Sequence, residues 1–193
     1  MSHSARATSR RVRSAVLAAL AVLGAALIGV RVHQARVPSS VERTGPGAAD
    51  GVVPEGVTVF DDEFPAVANL DPGLLGALRR AATDAGVEFV VNSGWRSPEY
   101  QEQLRREAVS KYGSEREAAR WVATADTSAH VTGEAVDLGP AQATAWLAEH
   151  GAGYGLCQVY RNEPWHYELR PDAVDHGCPP PYADAAHDPR MRR

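Results

Sequence analysis

Residues 128–140 read Ser-Ala-His-Val-Thr-Gly-Glu-Ala-Val-Asp-Leu-Gly-Pro. Within them 134–138 (EAVDL) reads as a strand, and Pro140 opens a helix that runs to His150 and stops at Gly151. Downstream, Leu156–Tyr160 and Trp165–Leu169 flank a turn, Arg161-Asn162-Glu163-Pro164, and read as a hairpin. Upstream, Asp71-Pro72 is a helix start, with Leu74, Leu75, Leu78, Ala81, Ala82 and Ala85 at helical spacing before Gly86. Val87–Val91 (VEFVV) is a β-rich run; Ser97-Pro98 opens a helix to Tyr112, and Ser114 with Glu117 makes a capping box for another. Helices early and mixed strands late predict an α+β fold with a small, largely antiparallel sheet and helices packed on it.

Charge is distributed unevenly along the 193 residues. Six arginines and no acid lie in residues 1–36, so the remaining 14 basic and 24 acidic side chains leave the body at a net −10. So acidic a body excludes nucleic acid as a partner, because that affinity rests on neutralising phosphates. The 16 residues Ala15–Val30 are uninterrupted and apolar, spanning roughly 24 Å as a helix. Residues 15–32 are expected to be a single-pass transmembrane anchor behind a basic cytoplasmic head, 1–14, with everything after Arg31 outside. Secretion after signal cleavage is the alternative, although the best cut, after Ala35, puts His33 where a small residue belongs. Residues 33–56, rich in Pro, Gly and Ser, read as a flexible linker, 57–178 as the folded domain, and 179–193 as an irregular tail. Outside the cytoplasm the pair Cys157 and Cys178 reads as a disulfide, with two unpaired thiols as the alternative.

Three segments carry unusual polar residues: 93–97 (SGWRS), 128–137 (SAHVTGEAVD) and 163–166 (EPWH). A hydrolytic metal site needs three N or O ligands, an open position and an unbound base nearby. His130, Asp137 and His166 can supply the ligands, Gly133 the tight approach that brings the first two together, and Glu163 the base. On the hairpin strand, Trp165, Tyr167 and Leu169 are expected on one side and His166 on the other. A serine-hydrolase reading of Ser128, His130 and Asp137 is weaker, since no G-x-S-x-G elbow occurs, and H-E-x-x-H is absent too.

The stretches SGWRSPEYQ, SAHVTGEAVDL and EPWHYE resemble, in order and spacing, the three signatures of the M15 metallopeptidases, the D-alanyl-D-alanine carboxypeptidase and dipeptidase family of VanY and VanX type. The resemblance covers most of residues 93–170. It implies the D-Ala-D-Ala carboxypeptidase (hedgehog-like) fold and one zinc ion per chain on His130, Asp137 and His166. It makes Glu163 the catalytic base and Arg96 the group that stabilises the reacting carbonyl, with Ser128, Gln101 and Trp165 at the substrate. The implied partners are peptidoglycan stem peptides or precursors ending in D-Ala-D-Ala, from which one D-Ala is released. The same machinery would serve a dipeptidase or an endopeptidase, and a non-catalytic zinc-stabilised wall-binding module is the non-enzyme alternative.

Overall fold

The computed structural model describes residues 45–192. In chain order the helices are α1 (Pro65–Ala68), α2 (Pro72–Ala85), α3 (Pro98–Tyr112), α4 (Glu115–Ala118), α5 (Ala141–His150) and α6 (Ala173–His176). The strands are β1 (Val90–Ser93), β2 (Ala135–Gly139), β3 (Leu156–Tyr160) and β4 (Glu163–Leu169), joined in one sheet of order β1-β2-β4-β3. Every pairing is antiparallel, so the expected α+β architecture holds.

The long helices begin and end where their punctuation lies. Asp71 Oδ1 accepts from the Leu74 N–H at 2.9 Å ahead of Pro72, and Ser97 Oγ accepts from Tyr100 N–H at 3.1 Å ahead of Pro98. These side chains satisfy N–H groups that have no partner within the helix. Leu74, Ala77, Leu78 and Ala81 of α2 are fully buried and share one core with Phe89, Val91, Val136, Leu138, Leu156 and Tyr167, joined by Ala143 and Leu147 of α5. One face of the sheet is thereby closed. Asp137 and His166, of alternate parity on β2 and β4, are left for the other face, and the register shift between Val91 and Ser93 sets Ser93 opposite Asp137.

Five expectations need correction. The β-rich run 87–91 is only partly strand: β1 starts at Val90 and ends at Ser93. The hairpin turn is two residues, Arg161-Asn162, because Glu163 already pairs with Tyr160. Trp165 and Tyr167 do not share surroundings: Tyr167 lies in the core, whereas Trp165 is 39% exposed on the opening that also holds His166. A register shift between Gln158 and Tyr160 accounts for this, since such an irregularity adds local twist.

The boundaries move as well. Part of the expected linker is folded: Gly51 is buried, Ser97 N–H donates to Asp50 O at 2.8 Å and Ser97 Oγ to Asp50 Oδ1 at 3.0 Å. The expected tail is part of the body. Tyr182 forms a parallel bridge to Tyr160, and Asp184 and Asp188 are buried. At the other edge Thr58 bridges Val90, with Val59 N–H on Phe89 O and Val91 N–H on Val57 O. The Cys157–Cys178 disulfide is present. Among the described residues no helix is long and apolar enough to cross a membrane; the span expected at 15–32 lies outside them.

Candidate metal centre

Three strands bring the polar residues into one row. Ser93 of β1 pairs with Asp137 of β2, and Asp137 pairs with His166 of β4. Cross-strand neighbours on one face approach closely, so the register alone sets Asp137 beside His166. His130 arrives from the loop before β2. That loop is docked through backbone: Asp71 N–H donates to Gly133 O at 2.8 Å and Arg96 N–H to His130 O at 3.1 Å. Gly133 sits at φ 77, and a Cβ there would overlap the Asn69 carbonyl oxygen, so the close approach read from the sequence is made against the α1–α2 connection. Gly94 has as little room, against Ala66 O.

His130, Asp137 and His166 each offer a ligand atom, all within 4.8 Å of one another. Asp137 Oδ1 lies 3.0 Å from His166 Nδ1 and 3.4 Å from His130 Nε2. The second nitrogen of each ring is occupied: His130 Nδ1 is 2.8 Å from Gly94 O, and His166 Nε2 is 3.4 Å from Glu168 Oε1. Such partners orient an imidazole and leave its other nitrogen for a metal. Glu163, also buried, stands aside, its Oε2 3.8 Å from His166 Nδ1.

Arg96 is fixed on three sides. Nε donates to Ser93 Oγ at 2.7 Å, Nη1 to Gln101 Oε1 at 3.1 Å and Nη2 to Asp137 Oδ2 at 3.0 Å. A guanidinium has five N–H donors, so each Nη keeps one more hydrogen for an anion in the opening. Gln101 is almost wholly buried and donates to Ala123 O at 2.9 Å. It therefore braces Arg96 and ties α3 to the loop that carries Ser128. The opening, a cleft of about 320 Å³, runs from the metal centre past Ser128 and Trp165 to the stacked rings of Tyr112 and Trp121, with Ala185 and Met191 on its wall.

Electrostatics separates the roles. Burial, then the Arg96 charge, lowers the His130 imidazole below its ordinary value and keeps it neutral. Burial opposes the Asp137 carboxylate, yet His130 and His166 outweigh it and hold it well below the usual range. Burial would lower His166 too, but its hydrogen bonds to Asp137 and Glu168 raise it to about 9, so a metal binding there displaces a proton. Burial pushes Glu163 up to about 7, where a carboxyl group can both take and return a proton.

All eight expected site residues, Arg96, Gln101, Ser128, His130, Asp137, Glu163, Trp165 and His166, line this one cleft. Ser93 and Glu168 fall within the stretches SGWRSPEYQ and EPWHYE but drew no role from the sequence, and Asp188 and Arg190 lie outside both. Glu168 stands two residues after His166, the spacing that shares a strand face, and was legible in principle. Arg190, far along the chain in an irregular segment, gave no such signal.

Two imidazoles, one carboxylate, a free carboxyl group and a fixed arginine around one opening make the class of centre that holds a single metal ion for hydrolysis. The comparisons narrow the class. The family model for VanY, D-alanyl-D-alanine carboxypeptidase, matches residues 73–172, and the chain belongs to that family. A D-alanyl-D-alanine carboxypeptidase of Enterococcus faecalis (strain ATCC 700802 / V583) is 32% identical over 112 residues, 45% of this chain and 42% of that one. The match thus spans less than half the length of that relative. The solved structure of VanYB in complex with D-alanine-D-alanine is 27% identical with a TM-score of 0.50, over 56% of this chain and 74% of that one. A mutant of a vancomycin-resistance D,D-pentapeptidase VanY in complex with Zn(II) is 29% identical with a TM-score of 0.47, over 52% and 72%.

Proposed function

We propose that this chain is a zinc-dependent D-alanyl-D-alanine carboxypeptidase that releases the terminal D-Ala of peptidoglycan stem peptides. The observation that carries the reading is the clustering of His130, Asp137 and His166 within 4.8 Å, with Glu163 beside them and Arg96 opposite. The donor set fits zinc: borderline-soft nitrogen and hard oxygen ligands, three in number, with one direction open to the cleft. Bound there, zinc supplies Lewis acidity and a water whose pKa falls to about 7.

The chain's own groups do the rest. Glu163, a buried carboxyl raised above its ordinary value in the metal-free chain, takes the proton as water attacks the scissile carbonyl and returns it to the departing amine. The two unused Arg96 hydrogens meet the developing oxyanion or the terminal carboxylate, a charge-assisted contact held in place by Ser93, Gln101 and Asp137. Ser128 and Trp165 line the substrate's path. Outside the described residues, the apolar run Ala15–Val30 supports a membrane anchor with the domain extracytoplasmic, and the disulfide agrees with an oxidising compartment.

The test is mass spectrometry of a synthetic pentapeptide stem incubated with the zinc-loaded chain and with Glu163→Gln. The expected product is the tetrapeptide plus free D-Ala, with a loss of roughly 10²–10⁴ in turnover at full zinc content in the variant. An intact pentapeptide, or loss of zinc in Glu163→Gln, would overturn the assignment.

A further inference from the structure

Behind the metal centre, the side of His166 turned away from Asp137 meets Glu168, a carboxylate only 1% exposed. Its oxygens are gripped by two arginines. Arg190 Nη1 donates to Oε2 at 2.7 Å and Nη2 to Oε1 at 3.0 Å, a two-pronged pair, while Arg170 Nη2 reaches Oε2 alone at 2.7 Å. Arg190 is held in turn: its Nε donates to Asp188 Oδ2 at 2.9 Å and its backbone N–H to Asp188 Oδ1 at 2.9 Å. Asp188, with no exposed surface, also accepts from the Tyr160 hydroxyl at 3.1 Å, and the Tyr160 ring packs 4.9 Å from that of His166.

Two buried carboxylates are costly without partners, so this chain of contacts stands or falls with Arg190. The side-chain link runs without a break from Asp188 through Arg190 and Glu168 to His166. Its outer members lie past residue 172, where the family match ends, in a segment tied back by the Cys157–Cys178 disulfide and the Tyr182–Tyr160 bridge.

We propose that Arg190 is a positioning residue of the metal centre, clamping Glu168 so that the His166 ring keeps Nδ1 turned toward Asp137 and His130. The proposal rests on the reading of those three residues as zinc ligands. Arg170 offers Glu168 one contact against Arg190's two, and it cannot fix the carboxylate plane on its own.

The test is zinc affinity of the full chain, by competition with a chromophoric chelator, together with the visible spectrum of the cobalt(II)-substituted protein, which reports ligand geometry directly. Arg190→Met is expected to weaken zinc binding roughly 10- to 100-fold and to alter the cobalt bands, with Arg190→Lys recovering part of both. Wild-type affinity and cobalt bands in Arg190→Met, even with a lowered melting temperature, would make Arg190 a packing residue and overturn the proposal. Should Arg190→Met fail to fold, Asp188→Asn loosens the clamp from behind: a smaller change in the same direction supports the proposal, and an unchanged spectrum overturns it. Failure of the wild type to bind zinc would instead strike the ligand reading itself.

Discussion

His130 and His166 face the same carboxylate from two regions that are built differently. The His130 region is locked by backbone: Gly94 O takes the ring nitrogen, Arg96 N–H takes the histidine carbonyl, and Gly133 lies flat against Asn69. Around His166 the register of β2 and β4 sets the residue, but the ring is steadied by side-chain charges, Glu168 and Arg190, delivered by a segment that a disulfide ties down. Backbone contacts of the first kind leave a short motif in sequence. Ion pairs of the second kind can be assembled from distant residues and leave none.

Of the two regions, the one around His130 is the more sensitive to substitution, and most of all at Gly133. Gly133→Ala forces an alanine into left-handed backbone and against a carbonyl that cannot yield, and should cost roughly 4 kcal/mol of stability, read from urea unfolding of the metal-free chain. Zinc binding should fall with it, because His130 rides on that loop. The second region should give way less. Replacing Cys157 and Cys178 together by serine removes the closure of a loop with sequence separation 21 and should cost about 3 kcal/mol, with the β1–β2 half intact and zinc bound more weakly. A loss as large as that of Gly133→Ala would mean that the C-terminal segment supports the whole domain rather than one side of the centre.

The smallest effect sharpens the contrast by pH. Burial opposes the Glu168 carboxylate, but hydrogen bonds from His166 and Arg190 lower it from 4.5 to about 2. A carboxyl group whose folded pKa is depressed adds stability above its unfolded pKa and loses it as pH falls. The Glu168 contribution is therefore present above about pH 4.5 and disappears between 4.5 and 2. It should amount to about 2 kcal/mol once water around the partly exposed arginines is allowed for. Unfolding curves of metal-free wild type and Glu168→Gln should converge across that window; parallel curves would remove Glu168 from the account.

Much of this was legible in the chain. Asp71-Pro72, Ser97-Pro98, Gly86 and Gly113 bound α2 and α3 because capping is local chemistry, written in neighbouring residues. The ligands and Glu163 were legible because metal chemistry restricts residue types and their spacing. Three things were not. The twist that turns Trp165 into the cleft follows from a register shift between two strands, which the pattern of either strand alone does not contain. Gln101 read as part of the substrate site, and its bracing of Arg96 depends on packing between α3 and the 123–128 loop. The segment 179–192, Pro-rich and without periodicity, carried no sign that Asp188 and Arg190 close the back of the centre, since its order comes from pairing to the body rather than from its own propensity.

The short bridges at the two margins of the sheet carry a consequence for the molecule among its neighbours. An outermost strand with free N–H and C=O groups is a template on which another chain can add. Here residues 57–59 run along β1, and Tyr182 lies beside β3 with Tyr182 N–H on Val159 O and Arg161 N–H on Tyr182 O. The chain thus supplies its own blockers from both ends of the domain, and strand-to-strand stacking between copies would first have to peel one of them away.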